Sequence, residues 1–168
     1  MIYIKKLEEK EYEFLMDMRY EAIYILENKP PKEELMNIPD IKKYSDEWGR
    51  KGDRALIASN ESSQPVGAAW YRLFSDHDKG FGYAGPNIPE IGIAVLEQER
   101  NKGIGKLLLD KLLLQAIEDG FTSVSLSVDP NNISALTVYK KIGFEYHSVF
   151  GTSWTMILNL SKLNRNDG

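Results

Sequence analysis

Cysteine is absent from the 168 residues. That removes disulfides, thiolate metal sites and a cysteine nucleophile at one stroke. Histidine is almost absent too. His77 and His147 are the only two, so a histidine-rich metal site is excluded and no metal is expected. No apolar run approaches the ~18 residues that a membrane-spanning helix needs. The opening residues MIYIKKLEEKEYEF contain no signal-peptide hydrophobic region. These absences predict a cytoplasmic protein that works away from membranes. Excess positive charge is lacking as well: the net charge is −4. Nucleic acid is therefore disfavoured as a partner, since phosphate backbones require a basic footprint. A cationic partner such as an amine is mildly favoured.

What is present is an ordinary globular composition, 42% hydrophobic and 27% charged, on a chain long enough for one domain with a proper core. No repeat or low-complexity tract interrupts it. Residues 1–6 alternate as a first strand and 8–26 show helical spacing. Asn28-Lys29-Pro30-Pro31 breaks that helix, and 32–48 is a weaker helical region interrupted near Pro39. RALIAS (54–59) and VGAAWYRLF (66–74) read as a hairpin turned at NESSQP. Residues 75–89, rich in glycine and proline, read as a surface loop.

Next come a strand, EIGIAV (90–95), a helix over 103–119, and a strand, SVSLSV (123–128). This is a βαβ unit with two parallel strands and a right-handed crossover. A short helix over 132–142 ends at Gly143. A closing hairpin over 144–150 and 154–160 turns at Gly151-Thr152. The expected class is α/β: one domain over 1–162 with a polar tail at 163–168. Its mixed central sheet has about seven strands, with helices on both faces.

The segment RNKGIGKLLL puts Gly103 and Gly105 where the long helix begins. Glycine there costs about 1 kcal/mol of helix propensity relative to alanine. A helix N-terminus exposes unpaired N–H groups with partial positive charge, and glycines let an anion approach them. The P-loop pattern fails because Gly105-Lys106 is followed by Leu107. The dinucleotide pattern fails because Leu108 stands at its third glycine. The remaining pattern is R-x-x-G-x-G, directly after a strand.

EIGIAVLEQERNKGIGKLLL resembles the acyl-CoA-binding motif of the GNAT superfamily of N-acetyltransferases. Asn132 to Phe144, NISALTVYKKIGF, resembles the same family's N-x-x-A-x-x-[LV]-Y-x-x-x-G-F. The resemblance is specific from about Glu90 to Phe144. It implies acetyl-CoA as co-substrate, with Arg100, Lys102, Gly103, Ile104, Gly105 and Lys106 around its pyrophosphate. It implies that the strand ending Ile93, Ala94, Val95 splays from its parallel neighbour and takes the pantetheine arm. Asn132 is then a pantetheine ligand or simply a helix N-cap. Tyr139 matches the family's general acid; otherwise it is a core tyrosine.

The base varies within the family. Glu90 is the candidate from position, against the bland reading of a solvated carboxylate at a strand edge. Trp70 and Arg72 share a face by alternation. With Tyr83, Phe81 and Glu90 they are candidates to line an acceptor pocket. The expected activity is acetyl transfer to a primary amine of a small molecule or peptide, by a monomer or homodimer. The alternative is a coenzyme A-binding regulatory module without turnover.

Overall fold

The computed structural model describes residues 1–164; most of the predicted polar tail, from residue 165 on, lies outside them. The elements run β1 (Tyr3–Lys6), α1 (Tyr12–Ala22), α2 (Lys32–Leu35), α3 (Pro39–Lys42), β2 (Arg54–Ser59), β3 (Pro65–Arg72) and β4 (Glu90–Val95). They continue with α4 (Ile104–Glu118), β5 (Ser123–Val128), α5 (Ile133–Ile142), β6 (Glu145–Phe150), β7 (Ser153–Asn159) and α6 (Ser161–Asn164). The fold is α/β with a seven-stranded mixed sheet in the order β1-β2-β3-β4-β5-β7-β6. β4 and β5 are parallel, paired at Glu90↔Ser125. β1 with β2, β2 with β3, β5 with β7, and β6 with β7 are antiparallel.

The chain packs as two compact units. One comprises Met1–Tyr71 and Gly92–Leu112; the other comprises Arg72–Ile91 and the residues from Leu113 on. The core of the first unit joins Leu15 and Met18 of α1 to Ala55 and Ile57 of β2, Ala68 and Trp70 of β3, and Ala94 of β4. Burying each large apolar side chain contributes about 1.5–3 kcal/mol. Gly92 is demanded by this packing: a Cβ there would lie 2.5 Å from the Trp70 indole. The guanidinium of Arg19, 4% exposed, lies 4.8 Å from the ring centre of Trp48 and 5.2 Å from that of Trp70. Such stacking suits a delocalised, weakly hydrated cation.

In the second unit β7 pairs with β5 from Ser123↔Asn159 to Val128↔Trp154. The buried side chains there include Val124, Leu126, Val128, Met156 and Leu158.

α1 is shorter than the pattern over 8–26 predicts. A 3-10 turn at Glu9–Glu11 precedes it, and it ends at Ala22, with Ile23 already extended. The Lys29 ammonium donates to the Tyr20 carbonyl at 2.7 Å, and the Tyr20 hydroxyl donates to the Pro30 carbonyl at 2.6 Å. The returning chain thus satisfies a carbonyl of the last turn, which one more turn of helix would otherwise have filled. Pro39 starts α3 at its first turn, where the missing N–H costs nothing.

Candidate functional site

α4 begins one residue later than its pattern, at Ile104, so Gly103 stands just before it and Gly105 in its first turn. Asn101 and Gly103 have φ of 65° and 83°. Two left-handed residues in three turn the chain from the short helical turn Glu97–Glu99 into α4. Asn tolerates that region and glycine enters it without cost. A Cβ at Gly103 would meet nothing within 4 Å, and one at Gly105 only Val95 Cγ2 at 3.8 Å. The backbone of the loop is therefore open to a ligand. The first amides of α4 have no preceding turn of helix to bond. The helix is held by an apolar stripe of Ile104, Leu108, Leu109, Leu112, Leu113 and Ala116, all buried.

The loop's cations rest on local acids. The Lys102 ammonium lies 3.0 Å from Glu99, and that of Lys106 lies 2.9 Å from Asp110. Arg100 Nε donates to the Val95 carbonyl at 3.1 Å, and its Nη2 lies 3.6 Å from Glu21. Exposed pairs of this kind contribute about 0–1 kcal/mol, so these cations are only weakly held by their local acids. Arg100 in turn adds to the burial that lowers the pKa of Lys29, which Glu21 opposes. Sequence spacing gave no signal for Lys29 or Glu21. Ile93 and Val95 are half-buried and Ala94 is buried.

Asn132 caps α5, its side chain accepting from the Ala135 N–H at 3.5 Å. Asp129 makes the turn before it, accepting from the Asn131 N–H at 2.9 Å. Tyr139 lies on α5 with its ring edge-on to Phe144, centres 5.7 Å apart. Burial pushes its phenol up to about 12, so the hydroxyl keeps its proton throughout the neutral range. Gly143, at φ 121°, closes the helix.

Trp70, 5% exposed, is a core residue of the first unit, and Arg72, 1% exposed, is buried. Tyr83 is half-buried, and its hydroxyl donates to Asp76 at 2.6 Å. The hydrogen bond to that carboxylate holds the Tyr83 phenol up, to about 12. Glu90 is 6% exposed, so it is no solvated edge carboxylate. Its Oε1 accepts from the Gly82 N–H at 3.0 Å. The carbonyl of Gly82 accepts from the Ser125 hydroxyl at 2.6 Å. The Thr155 hydroxyl donates to the Phe81 carbonyl at 3.2 Å. Gly82, Ser125 and Thr155 are invisible to motif reading, because a small residue in a strand or loop carries no signal of a partner far along the chain.

Among the described residues, no group of three or more His, Cys, Asp or Glu side chains is placed to hold a metal ion, and no helix is long and apolar enough to cross a membrane.

A parallel strand pair, a helix after β4 that starts at glycines, and a capped helix carrying a tyrosine that keeps its proton mark this as an α/β protein built around a βαβ unit. This chain belongs to the acetyltransferase (GNAT) family, whose model matches residues 15–144. Mycothiol acetyltransferase from Saccharomonospora viridis is 25% identical over 116 residues, 68% of this chain and 37% of that protein. The match thus spans little more than a third of that relative's length. Among solved structures, a chimera of the spermidine N-acetyltransferase SpeG from Vibrio cholerae and hSSAT is similar. Its TM-score is 0.69 at 18% identity, over 98% of this chain and 99% of that one. The protein yncA from Salmonella typhimurium, solved with its cofactor acetyl-CoA, gives 0.67 at 14% identity, over 95% of this chain and 94% of that one.

Proposed function

We propose that this chain is an acetyl-CoA-dependent N-acetyltransferase acting on a primary amine of a small molecule or peptide. The observation that carries the reading is the Gly103–Gly105 loop. It joins open backbone, left-handed turns at Asn101 and Gly103, and a helix N-terminus flanked by Arg100, Lys102 and Lys106. Backbone amides and exchangeable cations suit a diphosphate. Ile93 to Val95 and Asn132 are the residues assigned to the pantetheine arm, β4 through its backbone and Asn132 through its amide.

An alkyl ammonium of pKa about 10.4 must lose a proton to water before it can attack. The neutral amine then attacks the thioester carbonyl, whose oxygen the backbone N–H near Val95 polarises. The C–N bond forms and the C–S bond breaks. Tyr139 donates its hydroxyl proton toward the departing sulfur and regains one, through water, from the nitrogen that becomes the amide. The products are an acetamide and a free thiol. A phenol near 12 is a reluctant acid against a thiol of about 8.5. Its contribution is therefore chiefly a hydrogen bond that strengthens as charge gathers on sulfur. Glu90 enters as a residue that holds structure on the acceptor side, and water takes the amine proton.

The test is an acceptor screen with acetyl-CoA, read by thiol release and by product mass. A gain of 42 mass units on an amine, with matching thiol release, is the expected result for one acetyl group replacing one hydrogen. Tight coenzyme A binding with no thiol release on any amine would favour the regulatory-module alternative.

A further inference from the structure

Loop residues 73–89 are the one long irregular segment between two described strands, and ordinary surface loops of this length are loosely held. This one is clamped. Gly82 has its N–H on Glu90 Oε1 at 3.0 Å and its carbonyl on the Ser125 hydroxyl at 2.6 Å. Both gripping side chains are buried, at 6% and 0% exposure. No Cβ fits at residue 82, since it would lie 2.6 Å from the carbonyl carbon of Leu126 and 2.7 Å from the Ser127 nitrogen. That obstacle is strand backbone, which cannot step aside. Next door, the Phe81 carbonyl accepts from Thr155 of β7, and the Phe81 ring meets Phe150 edge-on at 5.8 Å.

Burying a carboxylate is costly unless its partners are fixed. Here the carboxylate and a buried hydroxyl fix one glycine of a loop. The clamp lies against Leu126–Ser127, at the carboxyl end of β5. Open α/β sheets take their ligands at the carboxyl ends of parallel strands. The next residues of the chain, Asp129 to Asn132, lead directly into the helix that carries Tyr139. Tyr83, immediately after the clamp, carries the hydrogen bond to the Asp76 carboxylate, an anionic group suited to an approaching ammonium.

We propose that Glu90, with Ser125, is a positioning residue: the two clamp Gly82 so that the Phe81–Tyr83 segment stands as a fixed wall of the acceptor site. The inference rests on the N-acetyltransferase reading above, with Glu90 acting through the loop and not on the amine proton.

The experiment combines steady-state kinetics of Glu90→Ala, Glu90→Gln and Ser125→Ala with residue-resolved hydrogen exchange at the Gly82 amide. The kinetics use the best amine of the screen across pH. Ser125→Ala removes a single oxygen and secures the test should Glu90→Ala fold poorly. Glu90→Ala and Ser125→Ala should raise the acceptor KM about 5- to 10-fold, the size of one lost hydrogen bond, with the acetyl-CoA KM unchanged. Gly82 should exchange about 10-fold faster in both. Glu90→Gln retains a carbonyl oxygen for the Gly82 N–H, so its acceptor KM and the shape of its pH profile should match the original. A Glu90→Gln rate that collapsed at neutral pH and recovered at high pH would make Glu90 the base and overturn the proposal. Unchanged Gly82 exchange would remove the clamp. Faster exchange with an unchanged acceptor KM would remove the wall. If no amine turned over at all, the N-acetyltransferase reading would fail and the wall with it, while Gly82 exchange would still judge the clamp.

Discussion

On the proposed reading, the Tyr139 hydroxyl is what separates an enzyme from a cofactor-binding fold. Burial pushes its phenol from the usual 10 to about 12, so the acid form is present wherever the protein is folded and the amine is reactive. Tyr139→Phe keeps the ring against Phe144 and removes only the donor. Turnover should fall by ~10²–10³-fold, the worth of one hydrogen bond to charge that develops in the transition state, with acetyl-CoA affinity unchanged. Single-turnover rates and calorimetric titration measure the two separately. The same shift acts on stability. The folded phenol holds its proton more tightly than the unfolded one, so its contribution is complete below pH 10 and is lost as pH rises through about 12. Tyr139→Phe should therefore shed part of the alkaline loss of stability in that window, read as urea midpoints at a series of pH values.

Two glycines set the behaviour of whole elements, in opposite senses. In β4, Gly92 faces the Trp70 indole so closely that any Cβ must displace it. Gly92→Ala should cost ~1–3 kcal/mol, the usual penalty of overpacking, as a lower urea midpoint at unchanged slope. In α4, Gly105 has room around it, with Val95 Cγ2 its nearest obstacle at 3.8 Å. Gly105→Glu should fold at least as well as the original, since it gains up to about 1 kcal/mol of helix propensity and places an anion at the positive end of the helix. The same carboxylate occupies the ground a diphosphate needs, so coenzyme A binding should be lost. A folded Gly105→Glu protein that bound acetyl-CoA normally would refute the cradle. Lys102→Ala should weaken binding modestly and flatten its salt dependence, because Lys102 can leave Glu99 for a phosphate.

On the scale of the molecule, the net charge of −4 would oppose the anionic acetyl-CoA of the proposed function, and the cations of residues 100–106 would have to outweigh it at short range. Binding to the folded state alone should then raise its stability by about 2.7 kcal/mol at a ligand concentration 100 times the Kd. The melting temperature should climb with acetyl-CoA concentration in the original protein and stay flat in Gly105→Glu.

The sequence by itself determined the elements whose causes are local. β4 and β5 lie over 90–95 and 123–128 as their apolar patterns predict. α5 runs between Asn132 and Gly143 because an N-cap and a left-handed glycine are short-range chemistry. The glycine-flanked start of α4 was legible for the same reason: glycines, cations and helix onset fall within seven residues. Tertiary structure alone decided what depends on chain remote in sequence. α1 stops early because Lys29 and Pro30 return to Tyr20. Trp70 and Arg72 are buried although alternation offered them a pocket face. Glu90 opens a strand, where sequence left open whether it was a solvated edge carboxylate or a candidate base beside an acceptor pocket. It is buried because Gly82 is drawn onto β5 by Ser125, 43 residues away, and Phe81 onto β7 by Thr155, 74 residues away. A hydrogen bond across such a distance leaves no periodicity in the chain. It exists only once the sheet has brought its two ends together.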